Sequence, residues 1–387
     1  MGRLATCCLM ILAFLPCAMT QPSRQPRPRT VPASRPIVGA IRWDAWHGDR
    51  SEPGKAVQKS LGPRKYHFRL PFFAKVLPNG TVRIRGDSQP VMDREIAYAK
   101  AAGIDYWAFV TYEPGTAMAL GLKHYLASKH RADVKFCLTT EQARWGTPGT
   151  SPKIVERFVR LLAEPTYQKV LDGRPLLYLG FIDEGWTRKH WGSMKAFRQA
   201  VDRFRAAVVR AGGKDPYIVV MAFDARQAAA QAKAFGCDAI SAYAIFGGSK
   251  AGTPFAASRR KTAAFWNACK ATATPVVPIV SFGWDPRPRV DNPVPWTRPG
   301  PNHYRTATPA ELAAHVTDAL DWTARNLQAA RANAVVIYAW NENDEGGWLV
   351  PTLSPDGSPN VQRVTAVGKA IRAWRRPAAA TAPTGGQ

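Results

Sequence analysis

Eight short, almost wholly apolar runs punctuate this chain, and each is followed by a segment of helical periodicity. The runs cover 37–41, 106–110, 134–138, 175–179, 217–221, 239–241, 275–280 and 334–338. The helical patterns lie near 90–102, 115–130, 151–163, 190–212, 225–235, 257–270, 308–330 and 361–374. Strands that are apolar on both faces must be buried on both faces, which requires a parallel sheet covered by helices. Eight such units in about 340 residues predict an α/β fold, a (β/α)8 TIM barrel with long loops after strands 1 and 7. An open doubly wound sheet is the competing arrangement, but no Gly-rich phosphate loop follows the first run.

Local chemistry supports the element boundaries. The helix at 308–330 opens Thr308-Pro309-Ala310-Glu311, an N-cap, a proline at the first position and a capping-box glutamate. Leu312, Val316, Leu320 and Leu327 fall on or near one face of it. The first long connection, 42–89, contains Leu77-Pro78-Asn79-Gly80-Thr81-Val82, which reads as a hairpin turn. The second, 282–307, is rich in Trp and Pro. Both would lie on the C-terminal face, where barrel active sites are built.

The ends of the chain read differently. Arg3 precedes a short apolar run at 9–15, and Ala18-Met19-Thr20 is a small-residue cleavage site. Residues 1–20 are therefore expected to be a secretory signal peptide, with an uncleaved N-terminal anchor or a lipid on Cys17 as alternatives. Residues 21–36 form a Pro/Arg-rich linker, 37–375 the barrel, and 376–387 a disordered tail. The protein is expected to be exported, periplasmic or extracellular, monomeric, and without a membrane span once the leader is removed.

The chain has 387 residues and a net charge of +25, which raises the question of nucleic acid. The basic residues are scattered, and no finger, helix-turn-helix or RNP-like pattern occurs, so no nucleic-acid partner is expected. Beyond the leader, Cys137, Cys237 and Cys269 are an odd number at wide spacing. That suits buried free thiols rather than a disulfide framework or a zinc site. No cofactor signature is present.

The residues just past the strand ends concentrate carboxylates and aromatic rings. In order they are Arg42-Trp43-Asp44 with His47, Thr111-Tyr112-Glu113, Thr139-Thr140-Glu141, Gly180-Phe181 with Asp183, Ala222-Phe223-Asp224, Tyr243, Phe282-Gly283-Trp284-Asp285, and Trp340 to Gly346. Glycoside cleavage needs carboxylates for proton transfer and aromatic faces for sugar rings. Each acidic residue taken alone is more ordinarily a cap or an ion-pair partner; it is their recurrence around the ring that carries weight. The densest segment is Trp340-Asn341-Glu342-Asn343-Asp344-Glu345-Gly346. Glu342 and Glu345 are three residues apart, so their backbones lie at most about 10 Å apart. That spacing admits both the roughly 5 Å separation of retaining glycosidases and the roughly 6.5–9.5 Å of inverting ones. A calcium site is the rival use of such a cluster, but EF-hand spacing is absent, and no metal is expected.

The segment from Tyr338 to Pro351 (YAWNENDEGGWLVP) resembles the W-N-E-W-x-E-G-x-x-L-E-P segment of family 99 glycoside hydrolases and their WbsX-like relatives. Ile37-Val38-Gly39-Ala40, Ile96 to Asp105, Lys169 to Pro175 and Gly283 to Arg289 agree in order with the same family. The resemblance spans about residues 37–375. It implies a base role toward the sugar 2-hydroxyl for Glu342, a general acid/base role for Glu345, and net retention through an anhydro-sugar. Asn343 stands where the family has Trp, Val350 where it has Glu, and Arg42 to His47 differs from the family's Tyr-rich opening. These departures touch the sugar-contacting shell, so the resemblance does not carry the family's α-mannoside specificity over to this chain, while the acid/base pair is retained.

The expectation is thus a glycoside hydrolase cleaving a polysaccharide or oligosaccharide outside the cytoplasm, with Glu342 and Glu345 catalytic. Substrate contacts are expected from Trp43, Asp44, His47, Tyr112, Glu113, Glu141, Asp224, Tyr243, Trp284, Asp285, Arg289, Trp340, Asn341 and Trp348. Trp296 joins Trp284, Trp340 and Trp348 as a stacking platform, whereas Trp107, inside a strand, is packing. Arg287, Arg289, Arg298 and Arg305 either form a solvated loop or recognise an anionic glycan through their guanidinium forks. A non-catalytic glycan-binding barrel and a polysaccharide-assembly protein are the alternatives; the leader opposes the latter, since nucleotide-sugar donors are cytoplasmic.

Overall fold

A computed structural model describes residues 34–377. The expected signal peptide and nearly all of the expected linker and tail lie outside the described residues. Of the linker, Arg35 forms a two-pronged ion pair with Asp105 at 2.7 and 2.9 Å.

Eight parallel strands form the barrel: β1 Ile37–Arg42, β2 Tyr106–Val110, β3 Lys135–Glu141, β4 Arg174–Gly180, β5 Tyr217–Met221, β6 Ala239–Ser241, β7 Ile279–Ser281 and β8 Ala334–Tyr338. Hydrogen-bonded neighbours run β7-β8-β1-β2-β3-β4-β5-β6. The ring closes through a parallel bridge between Ile240 and Val276, with Ile240 N donating to Pro275 O and Val277 N to Ile240 O. The run at 275–280 is therefore two pieces. Val276 faces β6 and 279–281 pairs with β8, because Pro278 between them has no N–H for a ladder.

The outer ring is α1 Gln89–Ala101, α2 Leu120–Ala127, α3 Ser151–Leu162, α4 Met194–Arg210, α5 Ala225–Phe235, α6 Phe255–Ala271, α7 Pro309–Arg325 and α8 Gln362–Ala373. The pattern at 190–212 is broken: a helix Glu184–Trp191 ends at Gly192, and Ser193 caps α4. Helix α7 has its capping box, and Leu312, Val316 and Leu320 are fully buried, each worth about 1.5–3 kcal/mol relative to exposure. Leu327 lies past the helix end, in a turn.

The barrel interior depends on a glycine. A Cβ at Gly39 would lie 2.1 Å from the Tyr106 ring, so only glycine lets that ring cross the barrel to meet the Tyr178 hydroxyl at 2.7 Å. The 42–89 connection contains the expected hairpin, Ala74–Val76 against Val82–Ile84, with Gly80 at φ +80°. Cys137 and Cys269 are buried and Cys237 partly so, all as free thiols. Among the described residues no helix is long and apolar enough to cross a membrane.

Candidate active site

Past β8 the chain folds into a miniature hairpin, with Asn341–Glu342 antiparallel to Gly347–Trp348. The turn Asn343–Glu345 lies between them. Gly346 closes the turn at φ +90°, and a Cβ there would sit 2.6 Å from the Asp285 nitrogen. This close approach lets Asp285 N donate to Glu345 O at 2.6 Å, stitching the hairpin to the β7 loop.

Three carboxylates thereby converge on one cation. Arg289, on the short helix Arg287–Asp291, donates from Nε to Asp344 at 2.7 Å and from Nη2 to the other Asp344 oxygen at 3.0 Å. Its Nη1 pairs with Glu345, and Nη2 lies 3.5 Å from Glu342. Burial pulls the Arg289 pKa down, but Asp344, Glu345 and Glu342 more than reverse this and leave it raised, so it stays a cation. Each glutamate also has a phenol donor: Tyr243 OH to Glu342 Oε1 at 2.8 Å, and Tyr338 OH to Glu345 Oε2. Burial raises both phenols, with the carboxylates adding to it, so both remain protonated donors.

Burial, then repulsion from Glu345, holds Glu342 well above the usual carboxylate range, against the pull of Arg289. Burial likewise raises Glu345, with Arg289 opposing and Asp344 adding. Their side chains are 4% and 13% exposed, so Glu345 is the more open. Two neighbouring carboxyls with raised pKa values can hold one proton between them at neutral pH, the state acid–base chemistry requires.

The structure gives several expected substrate contacts other tasks. Trp340 is wholly buried, packs on Trp107 at 5.3 Å and donates to Glu95 at 2.9 Å. Trp348 is covered by Arg363 at 3.6 Å. Asn341 accepts from Trp43 N at 2.9 Å and donates to Asp44, which itself receives Arg42 Nε at 2.9 and 3.1 Å. His47 is buried against Ser51 Oγ at 2.5 Å. Asp285 is held by buried Arg69 and by Arg287 at 2.7 Å. These residues orient the hairpin and its surroundings: the side chains of Trp340, Asn341, Asp44, His47 and Asp285 are hydrogen-bonded inside the fold, and the Trp348 ring is covered by Arg363.

The arginine expectation changes for the same reason. Arg289 is 4% exposed and serves as the internal counter-ion of the acidic turn. Arg287 is on Asp285, Arg298 on backbone carbonyls, and Arg305 on Gly252 O. At the rim, Glu113 pairs with Arg157 at 2.7 Å, Glu141 with Arg144 at 3.3 Å, and Asp224 caps α5.

Trp43, Tyr112 and Tyr243 remain around the carboxylates, whereas Trp284 packs on Phe246 at 4.3 Å. Trp43 Nε1 donates to Tyr112 OH at 2.6 Å, and its ring lies 5.6 Å from Trp296, which is 40% exposed. Arg289 sits 5.5 Å from the Trp43 ring centroid and 5.6 Å from that of Trp296. Sequence reasoning missed Tyr338, the final residue of a strand, and Phe246, which precedes Gly247-Gly248. An aromatic at a strand's C-terminal end was the available signal. Among the described residues no cluster of three or more His, Cys, Asp or Glu could hold a metal ion.

A (β/α)8 barrel with a paired-glutamate turn after its last strand is thus the class of protein defined here, and its fold is that of family GH99. The chain superposes on the GH99 endo-α-mannosidase of Bacteroides thetaiotaomicron in complex with bis-tris-propane with TM-score 0.54 and 14% identity, covering 87% of this chain and 96% of that one. A second structure of that enzyme gives TM-score 0.54, 12% identity and the same coverages. Saccharomyces cerevisiae Gas2p in complex with laminarioligosaccharides matches more loosely, with TM-score 0.41, 11% identity, and 75% and 61% coverage. No protein-family model and no curated protein sequence matches.

Proposed function

We propose that this chain is a retaining glycoside hydrolase acting on a poly- or oligosaccharide outside the cytoplasm. Glu342 is the base toward the sugar 2-hydroxyl and Glu345 the general acid/base. The observation that carries the reading is the geometry of the pair: two buried glutamates, each with its own tyrosine donor, bound to one guanidinium. Export rests on the leader sequence, and the role of each glutamate on the motif resemblance.

Burial raises both glutamates above the usual carboxylate range. A substrate 2-hydroxyl donating to Glu342, alongside Tyr243, favours its anion and leaves the proton on Glu345. Glu345 then protonates the glycosidic oxygen as that bond breaks. Glu342 takes the 2-hydroxyl proton, and O2 closes on the anomeric carbon to give an anhydro-sugar. Glu345, now ionised, deprotonates a water that reopens the ring at the anomeric carbon, while Glu342 returns its proton to O2. Two inversions give retention.

The test is cleavage of a panel of neutral and acidic polysaccharides by wild type and Glu345→Gln. Loss of the acid should lower the rate on a poor leaving group at least about 10²-fold. Glycan binding without cleavage by either protein would replace the hydrolase by a binding barrel.

A further inference from the structure

The ends of β4 to β7 carry a feature that the carboxylate chemistry does not use. Among the described residues five aromatic side chains are exposed: Phe68, Phe181, Phe223, Phe246 and Trp296. Three of these, Phe181, Phe223 and Phe246, are contiguous at 43%, 47% and 38% exposure. Ring centroids are 5.1 Å apart from Tyr243 to Phe181, 6.1 Å from Phe181 to Phe223, and 4.6 Å from Phe223 to Phe246. Trp284 follows Phe246 at 4.3 Å. Because Tyr243 also donates to Glu342, the row begins at the carboxylates.

Two further observations set this row apart from incidental exposure. Phe181 holds φ at +52°, a left-handed backbone that is costly for a bulky residue, and its exposed ring recovers little by packing. The acidic residues at the same strand ends, Asp183 and Asp224, are occupied as helix caps, accepting from Trp186 N at 2.5 Å and Gln227 N at 2.9 Å. The outer part of the wall, Phe181 to Phe246, is thus phenyl surface beside two carboxylates that are each engaged through one oxygen at a helix N-terminus.

We propose that Phe181, Phe223 and Phe246 bind an apolar substituent of the glycan, the methyl of a 6-deoxy sugar or an O-acyl group. The substituent is carried on a sugar unit beside the one held at Glu342 and Glu345. The proposal rests on the glycosidase reading only for placing a glycan at those carboxylates. Phenyl rings stack on the C–H face of any pyranose without reading its hydroxyl configuration, and three contiguous rings leave further apolar surface for a substituent. A methyl or acyl group gains there by burial, and the continuity of the rings with Tyr243 points the wall at the substrate rather than at a protein partner.

The test uses full-length Glu345→Gln and calorimetric titration with mannotriose, its 6-deoxy analogue and its 6-O-acetyl analogue. Each substituted probe should bind roughly fourfold tighter than mannotriose per buried methyl. Whichever of the two gains more identifies the source of the apolar group. Phe223→Ala and Phe246→Ala should abolish that preference while leaving the melting temperature unchanged. Phe181→Gly removes the ring and the backbone strain together, so it should melt higher yet lose the preference. Equal affinity for the three probes, no binding of any, or an unchanged preference in the Phe variants would each overturn the proposal. Wild-type cleavage indifferent to the wall would keep the hydrolase and remove the wall. Wall-dependent binding without cleavage would do the reverse.

Discussion

Replacing Arg289 by Met tests the central electrostatic claim. The guanidinium is 4% exposed and answers Glu342, Asp344 and Glu345, whose side chains are 4%, 0% and 13% exposed. Methionine fills much of the space but leaves three uncompensated buried carboxylates, and breaking a buried pair in this way costs about 3–5 kcal/mol. An unfolding entropy of about 2.1 cal/mol/K per residue over the roughly 340 described residues makes each kcal/mol worth about 1.4 °C. The expected fall in melting temperature is therefore roughly 4–7 °C. It also depends on pH. Glu342 and Glu345 already have folded pKa values above the unfolded one. Such groups favour the fold at low pH and lose that contribution as pH rises from the unfolded carboxylate value, about 4.3, through the folded ones. Without Arg289 the folded values climb further, so the loss should be larger at pH 8 than at pH 5 by differential scanning calorimetry. Arg287→Met, half-exposed on an Asp285 that keeps Arg69, should cost about 1 kcal/mol or less. An Arg289→Met protein melting within about 2 °C of wild type at both pH values would refute the counter-ion argument.

The phenol donors predict shifts in the pH–rate profile. Tyr338 stabilises the Glu345 anion, so Tyr338→Phe should raise the Glu345 pKa and move the alkaline limb to higher pH; Tyr243→Phe should raise that of Glu342 and move the acidic limb the same way. An unshifted profile in both variants would separate these hydroxyls from the titrating groups. Gly346→Ala adds a Cβ 2.6 Å from Asp285 N at φ +90°, so the hairpin must shift, costing roughly 1–3 kcal/mol of stability together with a fall in kcat. Wild-type melting and activity would show that the turn has slack.

The barrel was legible in the chain because its signals are local. Apolar runs alternating with helical periodicity specify strands buried on both faces, the Leu77–Val82 stretch carries its own turn chemistry, and Thr308 with Glu311 caps a helix within four residues. The proximity of Glu342 and Glu345 is likewise a matter of three peptide units. What the chain could not disclose is which partner each polar group meets and which face each ring shows to water. Arg289 lies 53 positions from Glu342 and Tyr243 lies 99 from it, so an arginine suited to gripping an anionic sugar instead became the counter-ion of the acidic turn. Trp340 and Phe223 are both aromatic residues just past a strand end, yet one is wholly buried and the other 47% exposed. Periodicity and turn preference are properties of neighbouring residues along the backbone. Charge pairing and exposure arise only when distant segments close around one another, and so the barrel was written locally while the working surface of its site was set by the tertiary fold.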